Sequence, residues 1–312
     1  MAKNQPTKQH YIPQCYLREF VDRKTPKNQE PYVWVFDKGK RKGRKRAPSN
    51  LFIETDLYTL KLKTGGKNYI IEETLSRLEG KYAEIFREKI KNHIPISDKE
   101  HIYFCAFIGV MLQRTLRHRD SLNDFFDKII AHAGVLEKEN NLEPDESKRL
   151  NKSKEETHSR SLIQTLPDIT ELLMRMSVAF LCAPNGVDFL TSDDPCNLFN
   201  SDLQWQKFYG PGLAQKNVQV TLPLSPKICL CLSWTNLKGY IQLDKNRAEE
   251  VNRMIVGKCY KYFVSSGHKT KKSWFRKYPL DFFFITKILI HKLRELFQKI
   301  KYYYKYKHVR RR

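Results

Sequence analysis

The chain is poor in acid: 34 Asp and Glu stand against 57 Lys and Arg, a formal net charge of +23 over 312 residues. That imbalance favours polyanionic partners, namely nucleic acid, nucleotides or an anionic membrane face. The sequence has no CxxC pair. Its seven cysteines (Cys15, Cys105, Cys182, Cys196, Cys229, Cys231 and Cys259) are odd in number and scattered, so reduced thiols are expected in place of a disulfide framework or a zinc ribbon. No run reaches the roughly 18 apolar residues of a spanning helix, and the polar stretch 1–9 has no apolar signal core. A soluble, cytoplasmic protein is the expectation. Also absent are a glycine-rich phosphate loop, an HxH metal pair, a P-D…E-x-K nuclease core and any internal repeat.

What is present reads as an α+β body, helix-rich with a small mixed or antiparallel sheet, over 1–266, followed by a basic C-terminal helical extension over 267–312. Strands are expected near Val33, Leu60, Leu190, Val220, Leu230 and Phe263, where β-branched and aromatic residues gather between turn residues. Pro13 suits the first turn of a short helix with Tyr16, Leu17 and Phe20 on its apolar face, and His10 lies just before it. Residues 70–91 show a helical stripe through Ile71, Leu75, Tyr82, Ile85 and Phe86. Ser97 and Glu100 form a capping box that opens a long apolar helix. Residues 136–158 are charged and read as an exposed connection or helix end. Pro167-Asp168 is expected to start a helix through Leu172, Leu173, Met176, Val178, Ala179 and Leu181.

Polar residues at the ends of these apolar elements are the candidate site. Phe189-Leu190-Thr191-Ser192-Asp193-Asp194-Pro195 runs a buried strand into hydroxyls and carboxylates, with Pro195 ending the ladder. It reads as a site at a sheet mouth or as an Asx or Ser turn. Glu72 and Glu79, seven apart, share one side of their helix, either facing a cavity or offset by nearby bases. Gln113, Arg114 and Arg117 stand at helical spacing where the long helix turns polar, so two guanidiniums can clamp phosphate or pair with acids. Lys38 to Arg46 holds seven basic residues in nine, a phosphate-binding run or a solvated hairpin loop. The segment from Gly267 carries 15 Lys and Arg against Asp281 and Glu295, with an amphipathic stripe and the interleaved run Tyr302 to Lys307. It fits single-stranded nucleic acid, an anionic membrane surface or docking on the body.

Taken in order, His10-Tyr11-Ile12-Pro13-Gln14 with Tyr16, Leu17 and Phe20, Trp34-Val35-Phe36-Asp37, Glu72 to Glu79, Gln113-Arg114 with Arg117, Phe189 to Pro195, and Pro223-Leu224-Ser225-Pro226 resemble the bacterial family called domain of unknown function 4238. The resemblance covers about 9–265. It implies an intracellular prokaryotic protein and brings no activity, substrate or cofactor. The family's usual Thr-Ser-Asp-Asn-Pro stands here as Thr191-Ser192-Asp193-Asp194-Pro195, so Asp193 is the matching acid.

Three functions follow as expectations. The first is phosphodiester hydrolysis of RNA or single-stranded nucleic acid, a nuclease of prokaryotic defence or stress. In it His10 serves as acid or base, Arg114 and Arg117 clamp phosphate, Gln113 is an orienting donor, and Ser192 and Asp193 complete the catalytic set. Glu72, Glu79 and Asp193 would hold a metal, with Mg2+ the candidate, or partner the base, any of them being alternatively an ion-pair partner. Lys40, Arg41, Lys42, Arg44, Lys45, Arg46, Lys269, Lys271, Lys272 and Arg276 would carry the nucleic acid. The second is a non-catalytic nucleic-acid or nucleotide binding module whose polar cluster is a buried network. The third is an enzyme on a small phosphorylated or nucleotide ligand. Fully paired, closed side chains favour the second, an open basic groove the first and a deep pocket the third.

Overall fold

The computed structural model describes residues 8–61, 66–139, 145–200, 203 and 211–276. Strand β1 (Lys8–His10) leads into helix α1 (Gln14–Leu17) and a 3-10 turn, Arg18–Phe20. Pro13 stands at the N-cap in extended conformation, just outside the expected first turn, and Tyr16, Leu17 and Phe20 are buried as their spacing predicts. Next, β2 (Val33–Asp37) and β3 (Gly43–Arg46) pair antiparallel, so the end of the basic run is a strand and not loop. Gly43 faces Phe36 across this ladder, and a Cβ there would meet the Phe36 ring at 2.6 Å. The missing side chain leaves room for Phe36 beside Phe263, on which it stacks at 4.8 Å between centroids.

Strand β4 (Ile53–Thr55) pairs with β1, while β5 (Leu60–Lys61) and β6 (Lys67–Asn68) form a separate ladder. The strand expected near Leu60 therefore stands apart from the main sheets. Helix α2 (Ile70–Glu88) buries Ile71, Leu75, Tyr82, Ile85 and Phe86. The Ser97–Glu100 capping box opens α3 (Asp98–Gln113). Thr115 then turns extended and caps α4 (Leu116–Lys138), its Oγ1 accepting from the His118 amide at 3.2 Å. The hydroxyl satisfies an amide that a continuous helix would have bonded internally, so the helix restarts there. This break removes the helical spacing expected of Gln113, Arg114 and Arg117.

Helix α5 (Glu146–Arg175) packs along α3 and α4 and corrects the expected helix start at Pro167-Asp168. The charged segment 136–158, read as an exposed connection or a helix end, includes the end of α4 and the start of α5; its described residues are exposed or half-buried up to His158, which is buried. Pro167 lies inside α5, and the helix ends at Arg175. Residues Ser177–Cys182 are strand β7, not helix. An interior strand is apolar on both faces, and that pattern does not separate strand from buried helix over so few residues.

The remaining elements are β8 (Thr191–Ser192), β9 (Asn197–Phe199), β10 (Gln219–Pro223), β11 (Ile228–Ser233), β12 (Gly239–Gln242), α6 (Lys245–Lys258) and β13 (Tyr262–Ser265). The fold is α+β with two main sheets where one was expected. One has the order β12-β7-β11-β10-β9, mixed because β12 runs parallel to β7; the other is the antiparallel β3-β2-β13-β8. Tyr16, Phe104, Phe107, Leu222 and Leu230 belong to the larger core cluster, and Phe36, Phe189, Cys229, Cys231 and Phe263 pack with α6 in a second. Each fully buried Leu or Phe contributes roughly 1.5–3 kcal/mol. After β13 the chain packs Trp274 against that second cluster. The amphipathic stripe and the tyrosine-lysine run of the extension lie outside the described residues. No helix among the described residues is long and apolar enough to cross a membrane.

Candidate functional site

The sequence-distant motifs meet at Tyr16. Its hydroxyl is 2.6 Å from Thr191 Oγ1 and donates to the Pro223 carbonyl at 2.6 Å, tying α1 to β8 and to the end of β10. Burial raises its pKa well above the usual phenol range, so it stays a neutral donor.

Around this knot the candidate residues fall into two separate groups. In the first, Arg114 is 1 % exposed, and its Nη1 is 2.6 Å from Glu79 Oε1. Its Nη2 donates to the His10 carbonyl and its Nε to Tyr58 Oη, while Tyr58 Oη donates back to the Arg114 carbonyl at 3.2 Å. This guanidinium is enclosed, and it holds the β1 end, α2 and the α3 terminus together. His10 Nε2 is 3.3 Å from the Pro48 carbonyl, and burial lowers the imidazole pKa. Gln113 Nε2 donates to Gly109 O at 3.3 Å, and its Oε1 accepts from Thr165. Burial raises the Glu72 carboxyl pKa.

In the second group, the Asp193 carboxylate, 2 % exposed, accepts the amides of Tyr260, Lys261 and Tyr262 at 2.8, 2.6 and 2.9 Å. Burial raises its pKa and these amides pull against the rise. Ser192 Oγ accepts the Asp194 amide at 3.1 Å. The Ser turn matches the geometry, whereas Asp193 makes no Asx turn and caps the distant amides before and at the start of β13. Asp194 Oδ2 is 2.5 Å from Arg117 Nε, and Arg117 Nη2 donates to the carbonyls of Lys258 and Cys259 at 2.6 and 3.1 Å. Lys258 donates to Leu198 O at 2.5 Å, and burial pushes its ammonium pKa down to about 8.

Arg114 and Arg117 are thus held by different acids, Glu79 and Asp194, and do not form the expected joint clamp. Nor do Glu72, Glu79 and Asp193 form a metal set: Glu79 is engaged by Arg114 and Asp193 by backbone amides. Among the described residues no group of three or more His, Cys, Asp and Glu could hold a metal ion.

The basic residues present a different picture. Arg41 Nε donates to Thr270 Oγ1 at 3.3 Å, which sets the run 40–46 beside the segment 269–276. Along the same edge Tyr32, Trp34 and His268 form a row of rings, 6.0 and 5.6 Å between neighbouring centroids. Lys45 Nζ lies 4.3 Å from the Tyr32 centroid and 5.5 Å from that of Trp34. Trp34 is fixed by its Nε1 donating to Asp22 Oδ2 at 2.8 Å. Lys40 and Arg44 pair with Asp37 at 3.4 and 2.9 Å, and Lys271 pairs with Glu249. Lys42, Lys45, Arg46, Lys269, Lys272 and Arg276 are exposed. Sequence reasoning found the charges and missed the rings, because His268 lies far along the chain from Tyr32 and Trp34.

Two cavities stand apart from this edge. One of about 360 Å³ is lined by Cys15, Arg18, Glu19, Glu79 and Arg87 among others. Burial pushes the Cys15 thiol up to about 12, so it is no thiolate nucleophile at neutral pH. The second, of about 450 Å³, lies between α4 and α5 and includes His158 in its wall.

The fold and the motif network define an α+β protein whose ordered polar motifs converge on its interior. The sequence profile of one family, described as "Protein of unknown function (DUF4238)", matches residues 8–269, and the chain belongs to that family. No curated protein and no solved structure matches it.

Proposed function

We propose that the protein is a single-stranded nucleic-acid binding module, with RNA the favoured strand, and that its family motifs are a structural network. The observation that carries this reading is the Arg41–Thr270 contact, which joins two basic segments beside the ring row Tyr32, Trp34 and His268. Cations follow a phosphate backbone without regard to sequence, and rings accept any base by stacking. The cations lie on the β2–β3 turn, on β3 and on the chain after β13, and the rings on the start of β2 and at His268, with Tyr32 and Trp34 half-buried and His268 exposed. The residues expected to cleave are engaged elsewhere: Arg114 with Glu79, Asp193 with three amides and Arg117 with Asp194. Closed, paired side chains favour binding over hydrolysis.

The test is a fluorescence-anisotropy titration of end-labelled single-stranded RNA over a salt series, with Mg2+ and with chelator, followed by sizing of the probe. The expected result is salt-dependent binding with the probe intact in every lane. Absence of binding at low salt overturns the module, and shortening of the probe by pure protein overturns the non-catalytic reading.

A further inference from the structure

The groove between α1 and α2 holds charges that neither the motif network nor the basic edge uses. Its α2 wall is made by Glu79, Gly80, Ala83 and Arg87, which their spacing puts on one side of the helix, and Arg18 stands on the opposite wall. The walls meet at Cys15, whose Sγ is 3.8 Å from the Glu79 carbonyl; its thiol stays protonated and adds no charge. Arg87 folds back along α2, its Nε donating to the Ala83 carbonyl at 3.0 Å, so the guanidinium starts beside Ala83, about one turn from Glu79. Between them lies Gly80, where a Cβ would meet nothing within 4 Å. The groove is therefore open between the base and the acid.

The two arginines are uncompensated. No carboxylate among the described residues lies within ion-pair distance of Arg18 or Arg87, whereas each acid of the groove has its own cation: Glu19 has Lys91 at 3.5 Å and Glu79 has Arg114. Glu79 is nonetheless only half used. Arg114 takes Oε1, Oε2 accepts no hydrogen bond among the described residues, and the side chain is 22 % exposed. The groove thus offers two free guanidinium forks, which match carboxylates, and one open carboxylate oxygen, which matches an ammonium. A purely anionic ligand would set like charge against Glu79, and a neutral zwitterion would leave one arginine unanswered. A volume of about 360 Å³ suits a small molecule.

We propose that this groove binds a free amino acid with an acidic side chain. Its ammonium donates to Glu79 Oε2, and its two carboxylates lie on Arg87 and Arg18. The site is separate from the basic edge, so it stands or falls independently of the nucleic-acid reading.

The experiment is a calorimetric titration of the full chain with L-glutamate, L-aspartate, L-glutamine, glutarate and inorganic phosphate, repeated on three variants. Arg18→Gln and Arg87→Gln each remove one fork from an exposed residue and leave Glu79 with Arg114. Gly80→Leu fills the open space while replacing a glycine inside a helix with a better helix former, so its melting temperature should not fall. The expected result is binding of glutamate or aspartate that weakens about tenfold with glutamine, with glutarate and in each arginine variant, and that Gly80→Leu abolishes. Failure of both acidic amino acids to bind overturns the proposal. So does glutarate as tight as glutamate, which removes the ammonium contact, or glutamine as tight, which removes the second arginine. Phosphate as tight as glutamate would reduce the groove to a pair of unspecific cations, and wild-type affinity in Gly80→Leu would put the ligand elsewhere; either result also overturns it.

Discussion

Arg114 and Glu79 form an ion pair at 2.6 Å in which the guanidinium is 1 % exposed while the carboxylate keeps a partial opening to solvent. Two residues that read in sequence as phosphate clamp and metal ligand neutralise each other at the junction of α2 and α3. The charge that makes an arginine useful to a substrate is here consumed by the fold. Removing one partner leaves the other buried and uncompensated, which costs about 3–5 kcal/mol for pairs of this kind. Arg114→Met and Glu79→Gln should therefore both lose stability, Arg114→Met the more, since it also strands the His10 carbonyl and Tyr58. Urea unfolding followed by circular dichroism measures this, and a loss under about 1 kcal/mol would contradict it.

Asp193 caps three consecutive amides, so its role depends on accepting and not on charge transfer. Asp193→Asn replaces one accepting oxygen with an NH2 that faces an amide donor. A loss of about 1–3 kcal/mol is expected. Thermal unfolding checks the loss, and an unchanged melting temperature would remove Asp193 from the structural network.

His158 gives a pH dependence with a definite sign. Burial pushes its pKa down to about 4 from an ordinary 6.5. The unfolded chain then binds the proton first, so the stability due to neutral His158 is full above about pH 6.5 and is lost as pH falls toward 4, by at most about 1.4 kcal/mol per unit. Wild type should lose more stability than His158→Gln between pH 7 and 5. Parallel stability curves would show that the imidazole does not titrate in this range.

At the basic edge, removing charge and removing rings should have separable effects. Lys42→Ala and Lys45→Ala should each lower the salt slope of RNA binding by about 0.7 for every phosphate that the deleted ammonium had neutralised. Tyr32→Ala should lower affinity by about 1–3 kcal/mol with the slope unchanged. Anisotropy over a salt series separates the two. An effect of Tyr32→Ala on the slope alone would argue against stacking.

Much of this was legible in the sequence where local rules act alone. The Ser97–Glu100 box, the α2 stripe and the pair β10 and β11 follow from spacing within a few residues. The ordered motifs also announced the family. Errors came where tertiary context chose between local alternatives. Ser177–Cys182 is a strand because β11 and β12 flank it, and nothing within those six residues says so. Thr115 interrupts a run that is helical on both sides. Asp194 holds Arg117, whereas Asp193, the acid that matches the family pattern, serves the backbone of β13. Polar residues at the ends of apolar elements signal a common location, but whether they pair with one another or face a ligand is decided by partners far away in the chain.

The most direct test measures folding and RNA binding side by side in two variants, Arg114→Met and the double variant Tyr32→Ala with Lys45→Ala. The account predicts a crossed result: Arg114→Met unfolds at lower urea yet its folded form binds RNA like wild type, whereas the double variant keeps wild-type stability and loses affinity. A folded, stable Arg114→Met that no longer binds RNA would contradict it and return the motif residues to the ligand.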